Sequence, residues 1–155
     1  MQIDSVLCIC TGNICRSPLA EGLFRKRAQS LRVASAGIGA VVAGTMPDAA
    51  ANIATREHFD LDSHRGKQVT RPMLQQHDLV MVMEAGQKQW LVANYPESRG
   101  RVFLLTHWIS GDDIADPYRL NSEVFEQVYS EIEAGVDSWV ARLKPAIDGR
   151  NRTAG

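Results

Sequence analysis

Residues 5–18 read Ser5-Val6-Leu7-Cys8-Ile9-Cys10-Thr11-Gly12-Asn13-Ile14-Cys15-Arg16-Ser17-Pro18. A short apolar run ends at Cys10 and is followed by turn-forming residues, which predicts a buried strand that leads into a loop. Ser17 suits the N-cap of a helix and Pro18 suits its first position, so a helix is expected directly after the loop. The segment therefore predicts a strand–loop–helix unit at the start of the chain.

Short apolar runs alternate with helical patterns along the rest of the sequence. The runs predict further strands at 32–36, 78–83 and 101–105. Helices are predicted at 47–58 and 85–94, and Ser122 is predicted to cap a long amphipathic helix. In that last helix apolar residues recur at every fourth position, namely Val124, Val128, Ile132, Val136 and Val140. The alternation indicates an α/β fold with a parallel sheet covered on both faces, in which ligands bind beyond the carboxyl ends of the strands.

The composition is ordinary for a globular protein of one domain. The 155 residues have a formal net charge of -1, so there is no overall basic field of the kind that draws proteins to nucleic acid. The sequence has no targeting pattern and no apolar segment of about 18 residues, so membrane insertion is not expected. We therefore expect residues 1–155 to form a single cytoplasmic domain, with 146–155 as a frayed tail.

The three cysteines are clustered at Cys8, Cys10 and Cys15. An odd, closely spaced set does not suit a disulfide framework. A structural zinc site needs four ligands, and the four histidines show no paired spacing that would complete one. We therefore predict no metal, and a reactive thiol in a reducing compartment.

The segment that begins at Cys10 has the form Cys-x5-Arg-Ser between a strand and a helix. A loop in front of a helix N-terminus directs backbone N–H groups into one concave space, and the helix dipole adds to their field. Gly12 and Asn13 tolerate the positive φ that such a loop requires. The same field would favour the thiolate of Cys10, while Arg16 could hold two phosphate oxygens and the Ser17 hydroxyl could donate to the sulfur. The pattern predicts a phosphate-binding loop with a nucleophilic thiol.

A proton donor is less well defined by the residues alone. Asp116 precedes Pro117, and a residue before proline is pushed toward an extended conformation that suits a projecting side chain. Asp112 and Asp113 lie close by in the same predicted loop, so the choice among the three stays open at this point.

The run from Cys10 to Pro18 closely resembles the signature loop of the low-molecular-weight protein tyrosine phosphatases. Other segments that resemble the family are 33–37, 44–48, 63–70, 78–84 and 116–118. The resemblance extends from Ser5 to Leu143, and the length is similar to that of the bacterial branch encoded with exopolysaccharide or capsule machinery. It implies a three-layer sandwich with a central four-stranded parallel sheet, order 2-1-3-4, and helices on both faces.

The resemblance also implies a role for each matching residue. Cys10 would attack phosphorus, and Asp116 would protonate the leaving phenolate and then activate water. The phosphate-binding loop would consist of Thr11, Gly12, Asn13, Ile14, Cys15, Arg16 and Ser17. The residues that would support this loop are Asn13, Ser17, Ser35 and His64. Cys15 would form a reversible disulfide with Cys10 and protect it from irreversible oxidation.

The substrate rim departs from the family pattern. Tyr118 is expected at the mouth of the cleft, where its ring could stack on a substrate. Val41 stands where many members have an aromatic residue, Arg119 where many have a second tyrosine, and Lys67 where the family has arginine. A more aliphatic and more basic rim predicts weak selectivity for the peptide sequence around the phosphotyrosine.

The substrates implied by the resemblance are phosphotyrosine-containing proteins, namely a bacterial tyrosine autokinase or related proteins of exopolysaccharide biosynthesis. No cofactor is expected, and the expected state is a monomer or a weak dimer.

Two alternatives stay open. A thiol-dependent arsenate reductase shares the fold, but its disulfide relay needs two further cysteines and the chain has none after Cys15. A phosphate-binding module without turnover would be expected to lack Cys10 or Asp116, and both are present.

Overall fold

The structure, a computed structural model, describes residues 2–154, with side chains described for 2–143. The strands are β1 (Ser5–Cys10), β2 (Arg32–Gly37), β3 (Leu79–Val82) and β4 (Val102–Leu104). They form one sheet in the order β2-β1-β3-β4, and each neighbouring pair is parallel. The predicted four-stranded parallel sheet and its order are confirmed.

Helices cover both faces of this sheet. They are α1 (Arg16–Arg27), α2 (Asp48–Arg56), α3 (Arg71–Gln75), α4 (Ala85–Asn94) and α5 (Ser122–Ala154), with a 3-10 helix at Pro96–Arg101. One core cluster joins α1, α2 and α5 to the sheet, and a second joins α3 and α4 to its opposite face. The predicted three-layer arrangement is therefore observed.

The central strand β1 shows why the sequence starts with an unbroken apolar run. Val6 and Cys8 contribute to the core beneath α1 and α5, whereas Leu7 and Ile9 contribute to the core beneath α3 and α4. Successive side chains of a strand point to opposite faces, so a strand that is covered on both faces has to be apolar throughout. All six residues of β1 are buried, and the strand delivers Cys10 to the carboxyl edge of the sheet.

Helix α5 presents a buried stripe to the rest of the protein. The stripe consists of Phe125, Val128, Tyr129, Ile132, Val136, Trp139 and Leu143. Gly135 lies so close to β4 and its following turn that a Cβ there would sit 2.7 Å from Leu105 Cγ. The predicted amphipathic pattern is observed, but Val124 and Val140 at its edge are only partly buried.

Two local predictions were wrong in detail, and two short elements were not predicted. Helix α1 begins at Arg16 with Cys15 at its N-cap, so Ser17 lies inside the first turn and does not cap it. Helix α5 is capped by Asn121, whose Oδ1 accepts the Val124 N–H at 3.0 Å, and not by Ser122. Helix α3 and the 3-10 helix were not predicted, because such short elements show no apolar periodicity.

Two expectations about the chain as a whole have different outcomes. No helix within the described residues is long and apolar enough to span a membrane. The expected frayed tail at 146–155 falls outside the residues whose side chains the structure describes, and it stays a prediction.

Candidate active site

The sulfur of Cys10 sits at the base of the loop that joins β1 to α1. It accepts the Asn13 backbone N–H at 3.2 Å and lies 2.9 Å from Ser17 Oγ. Asn13 Nδ2 already donates to that Ser17 oxygen at 2.8 Å, so the hydroxyl hydrogen is free to point at the sulfur. The Ser17 hydroxyl therefore contacts the Cys10 sulfur and does not cap α1.

Asn13 is the hub of the loop and is completely buried. Its Nδ2 also donates to Ser35 Oγ at 2.9 Å, its Oδ1 accepts the Lys67 N–H at 3.0 Å, and its carbonyl oxygen lies 2.7 Å from His64 Nε2. Its φ of 58° is in the left-handed region that asparagine tolerates better than most residues. The structure therefore brings together the four predicted supporting residues Asn13, Ser17, Ser35 and His64.

A neighbouring segment fixes the outer side of the loop through its backbone. Three N–H groups of this segment donate to loop carbonyls at 3.0–3.1 Å: Ile38 to Cys10, Gly39 to Thr11 and Val41 to Gly12. A Cβ on Gly37 would lie 2.3 Å from Thr11 O, so that close approach requires glycine. Gly12 itself has no positive φ; of the two residues predicted to need one, Asn13 alone does.

Arg16 is 1% exposed, and its guanidinium is anchored from one side. Its Nη1 donates to Glu84 Oε2 at 2.8 Å and to the Ile114 carbonyl oxygen at 2.7 Å. Its Nη2 lies 3.8 Å from Asp116 Oδ2. A buried arginine is costly unless paired, so Glu84 both stabilises the charge and fixes its position beside the loop.

Glu84 and Gln87 complete the site, although none of the sequence motifs described above predicts a role for either of them. Gln87 is 2% exposed; its Nε2 donates to Glu84 Oε2 at 3.0 Å and to Thr11 Oγ1 at 3.2 Å. Its Oε1 accepts the Glu84 N–H, as the third residue of a helix does in a capping box. The three-residue spacing between Glu84 and Gln87 at the start of α4 is the sequence signal from which Gln87 could have been predicted.

Asp116 projects from the loop between β4 and α5 with about half of its side chain exposed. Its Oδ1 accepts the Tyr118 N–H at 3.0 Å, while Oδ2 is the oxygen nearest to Arg16. The alternative Asp113 is committed elsewhere, because its Oδ1 accepts the Ala85 N–H at 2.8 Å. Of the three aspartates in this loop, Asp116 is the one that lines the cavity above Cys10.

That cavity has a volume of about 180 Å³. Its lining consists of Cys10, Thr11, Gly12, Ile14, Cys15, Arg16, Gly39, Val41, Asp116 and Tyr118. A thiol at the base, a guanidinium at the side and a carboxyl group near the mouth are the parts needed for nucleophilic displacement at a bound oxyanion.

Two of the three predicted rim residues lie at the mouth of the cavity. Val41 is 48% exposed and Tyr118 is 46% exposed. Arg119 is not part of the lining; its guanidinium stacks 5.3 Å from the centre of the Tyr118 ring. The positive charge of Arg119 therefore lies against the Tyr118 ring at the mouth, outside the cavity lining.

The other two cysteines are held as neutral thiols. Burial, with a smaller contribution from Cys10, raises the pKa of Cys15 to about 12. Burial also raises the pKa of Cys8 well above its ordinary value. All three cysteines are free, and Cys15 lines the same cavity as Cys10. The disulfide between them stays a prediction.

Comparison with known proteins gives one consistent result. Residues 5–148 match the family model described as low molecular weight phosphotyrosine protein phosphatase. The chain is 37% identical over 143 residues to the low molecular weight protein-tyrosine-phosphatase Etp of Escherichia coli K12, covering 92% of this chain and 97% of Etp. It is 39% identical over 142 residues to Wzb of Salmonella typhimurium, covering 92% and 95%. The crystal structure of the tyrosine phosphatase Wzb from Escherichia coli K30 with sulphate matches with a TM-score of 0.87 at 40% identity, covering 91% and 99%.

Proposed function

The chain belongs to the low molecular weight phosphotyrosine protein phosphatase family and is a protein-tyrosine-phosphatase, and we propose that it works through a phosphocysteine intermediate on Cys10. The observation that carries this mechanism is the shared cavity of Cys10, Arg16 and Asp116, in which the sulfur accepts one backbone hydrogen bond. In this proposal residues 1–155 act as one domain.

The first step is capture of the phosphate group. The backbone N–H groups of residues 11–17 and the N-terminus of α1 offer partial positive charge to its oxygens. Arg16 adds a full positive charge, and its Glu84 and Ile114 contacts hold it in place before the substrate arrives. Donors that are fixed in advance need no reorganisation during the reaction, which lowers the barrier.

The second step transfers the phosphoryl group to the enzyme. The Cys10 thiolate forms a bond to phosphorus as the bond between phosphorus and the tyrosine oxygen breaks. Asp116, at the mouth of the cavity, gives its proton to the departing phenolate. The products of this step are free tyrosine side chain, phosphocysteine and an Asp116 carboxylate.

The third step releases phosphate. Asp116, now ionised, takes a proton from a water molecule as that water attacks phosphorus. The bond between sulfur and phosphorus breaks, and the Ser17 hydroxyl at 2.9 Å stabilises the thiolate that leaves. The enzyme returns to its starting state, with Cys10 as a thiolate and Asp116 protonated by the proton that it took from the water.

The proposed substrate is a bacterial tyrosine autokinase or a related protein of exopolysaccharide biosynthesis. Similarity to Etp and Wzb over most of the chain supports this choice of branch. The proposed setting is the cytoplasm, and the proposed state is a monomer or a weak dimer. A tyrosine phosphoproteome that is unchanged after deletion of this protein would contradict the proposed substrate class.

Initial-rate hydrolysis of p-nitrophenyl phosphate between about pH 4 and pH 8 tests the mechanism. The expected profile is bell-shaped, because a thiolate and a protonated acid are needed together. Cys10→Ser should abolish turnover while phosphate still binds, and Asp116→Ala should lower kcat by about 10²- to 10⁴-fold. A native chain that binds phosphate without turnover would instead support the phosphate-binding module.

A further inference from the structure

A second and larger cavity lies between α4 and the edge strand β4, and we call it the α4–β4 groove. Its volume is about 610 Å³, compared with about 180 Å³ for the cavity above Cys10. Sites for small molecules typically have volumes of about 300–1,000 Å³. The groove is therefore large enough to hold a compact organic ligand, and the mechanism above makes no use of it.

The base of the groove is apolar and partly aromatic. Val92 of α4 and Phe103 and Leu104 of β4 line it, and each of them is only partly buried. The imidazole of His107 meets the Phe103 ring at 5.5 Å in a nearly perpendicular arrangement. Two aromatic groups at this angle form a corner that favours a flat, apolar ligand.

The polar part of the groove carries positive charge. Lys88 places its Nζ 5.9 Å from the centre of the Phe103 ring, and Arg99 also lines the groove. No aspartate or glutamate is among the lining residues, and within the described part of the chain neither cation forms an ion pair. Other arginines, such as Arg56 and Arg71, do have carboxylate partners. The unneutralised charge favours an anionic ligand.

The groove shares a helix with the active site. Glu84 and Gln87, at the start of α4, contact Arg16 and Thr11 on one side. Lys88, the next residue along α4, lines the groove on the other side. A ligand that displaces α4 would therefore act directly on the contacts that fix the phosphate-binding loop.

We propose that the α4–β4 groove binds a small aromatic anion, a flat ring system that carries a carboxylate, phosphate or sulfonate group. Its apolar body packs against Phe103 and Val92, and its charge faces Lys88 and Arg99. Occupancy of the groove changes the rate of phosphate ester hydrolysis through α4. This regulatory part rests on the proposed function, whereas the binding part does not.

Amide NMR of the isotope-labelled full chain tests the binding directly. The active site is first saturated with inorganic phosphate, and naphthalenesulfonate is then titrated. The expected result is saturable shifts at the amides of Lys88, Arg99, Phe103 and His107. Lys88→Glu and Arg99→Glu should each weaken binding by at least about tenfold, because they place like charge beside the ligand.

Lys26→Glu is the matched control, since it makes the same change in net charge on α1, which packs on the opposite face of the sheet. It should leave the affinity of the groove unchanged. Absence of saturable shifts at the groove, or equal affinity in the native chain and in Lys88→Glu, would overturn the proposed site.

The regulatory part needs a second readout at a saturating concentration of a phosphotyrosine peptide, where competition at the active site is eliminated and the substrate is not a small aromatic anion. A change in kcat with naphthalenesulfonate that disappears in Lys88→Glu supports coupling through α4. An unchanged kcat with the groove occupied would overturn the coupling. If the chain proves to have no phosphatase activity, the NMR titration still decides whether the site exists.

Discussion

The base and the mouth of the active site are built in opposite ways. The base, which we call the cradle, consists of Cys10, Asn13, Arg16 and Ser17 with their supporting residues, and all four are at most 2% exposed. The mouth consists of Val41 and Tyr118, and each of them is nearly half exposed. Asn13 alone makes five hydrogen bonds to the loop and to the residues that support it. The Tyr118 ring, in contrast, is contacted by the Arg119 guanidinium, whose central carbon lies 5.3 Å from the ring centre.

This difference in burial and hydrogen bonding indicates which part of the site tolerates substitution. Each buried polar group of the cradle has its partner, so the loss of one member leaves others unsatisfied, at a cost of about 1–3 kcal/mol each. The rim side chains are in contact with solvent, and replacing one leaves no buried polar group behind. Chemistry should therefore depend on the cradle, and substrate preference on the rim.

The largest expected effect comes from Arg16→Lys. A lysine has no planar fork, so it cannot hold Glu84, the Ile114 carbonyl oxygen and a phosphate together. We expect kcat/KM for p-nitrophenyl phosphate to fall by about 10³-fold. Arg119→Lys, which makes the same replacement at the residue that stacks on Tyr118, is the matched control, and it should change kcat/KM by less than about twofold. If kcat/KM fell equally in Arg16→Lys and Arg119→Lys, the proposed distinction between the cradle and the rim would be wrong.

A smaller but diagnostic effect is expected for Asn13→Ala, read as the free energy of unfolding. Removal of the amide leaves Ser35 Oγ and the Lys67 N–H without their partner and should destabilise the protein by about 3 kcal/mol. Asn13→Gly removes the same side chain but keeps the positive φ at little cost, so it should be more stable than Asn13→Ala by about 1 kcal/mol. Urea denaturation of both variants measures this difference. If neither variant changed the free energy of unfolding, this result would contradict the role of the cradle as a preorganised unit.

The smallest effect is expected at the rim, for Tyr118→Ala. Loss of ring stacking should lower kcat/KM for a phosphotyrosine peptide by about 3- to 10-fold. Inhibition by inorganic phosphate should be unchanged, because phosphate contacts the cradle and has no ring to stack. Steady-state kinetics with both ligands separates the two regions. A matching loss of phosphate affinity would show that Tyr118 supports the cradle as well.

The contrast between the two regions also explains what the sequence could predict. The cradle was predictable because its central residues lie within eight positions of each other, between an apolar strand and a helix. Its supporting residues Ser35 and His64 came from family resemblance and not from any pattern in the residues. The order of the strands had the same origin, since apolar runs predict strands but do not reveal which of them are neighbours.

Three features could not be predicted from the residues, and one of them depends on a contact that is distant in sequence. Glu84 is 68 residues from Arg16, and the pair forms because β3, which precedes Glu84, lies beside β1 in the sheet. Ser17 was expected to cap α1, but its hydroxyl lies against the sulfur of Cys10. Arg119 was expected to make the rim basic; its guanidinium lies over the Tyr118 ring, outside the cavity lining, and this position could not be derived from the sequence.

The central claim is that Cys10 carries the phosphoryl group during turnover. The most direct measurement is rapid acid quench of the enzyme with a phosphotyrosine peptide, followed by mass spectrometry of the peptide that contains Cys10. The account predicts one phosphoryl group on Cys10 in the native chain and none in Cys10→Ser. Turnover without phosphorylated Cys10, or a phosphoryl group on a different residue such as His64, would contradict the account.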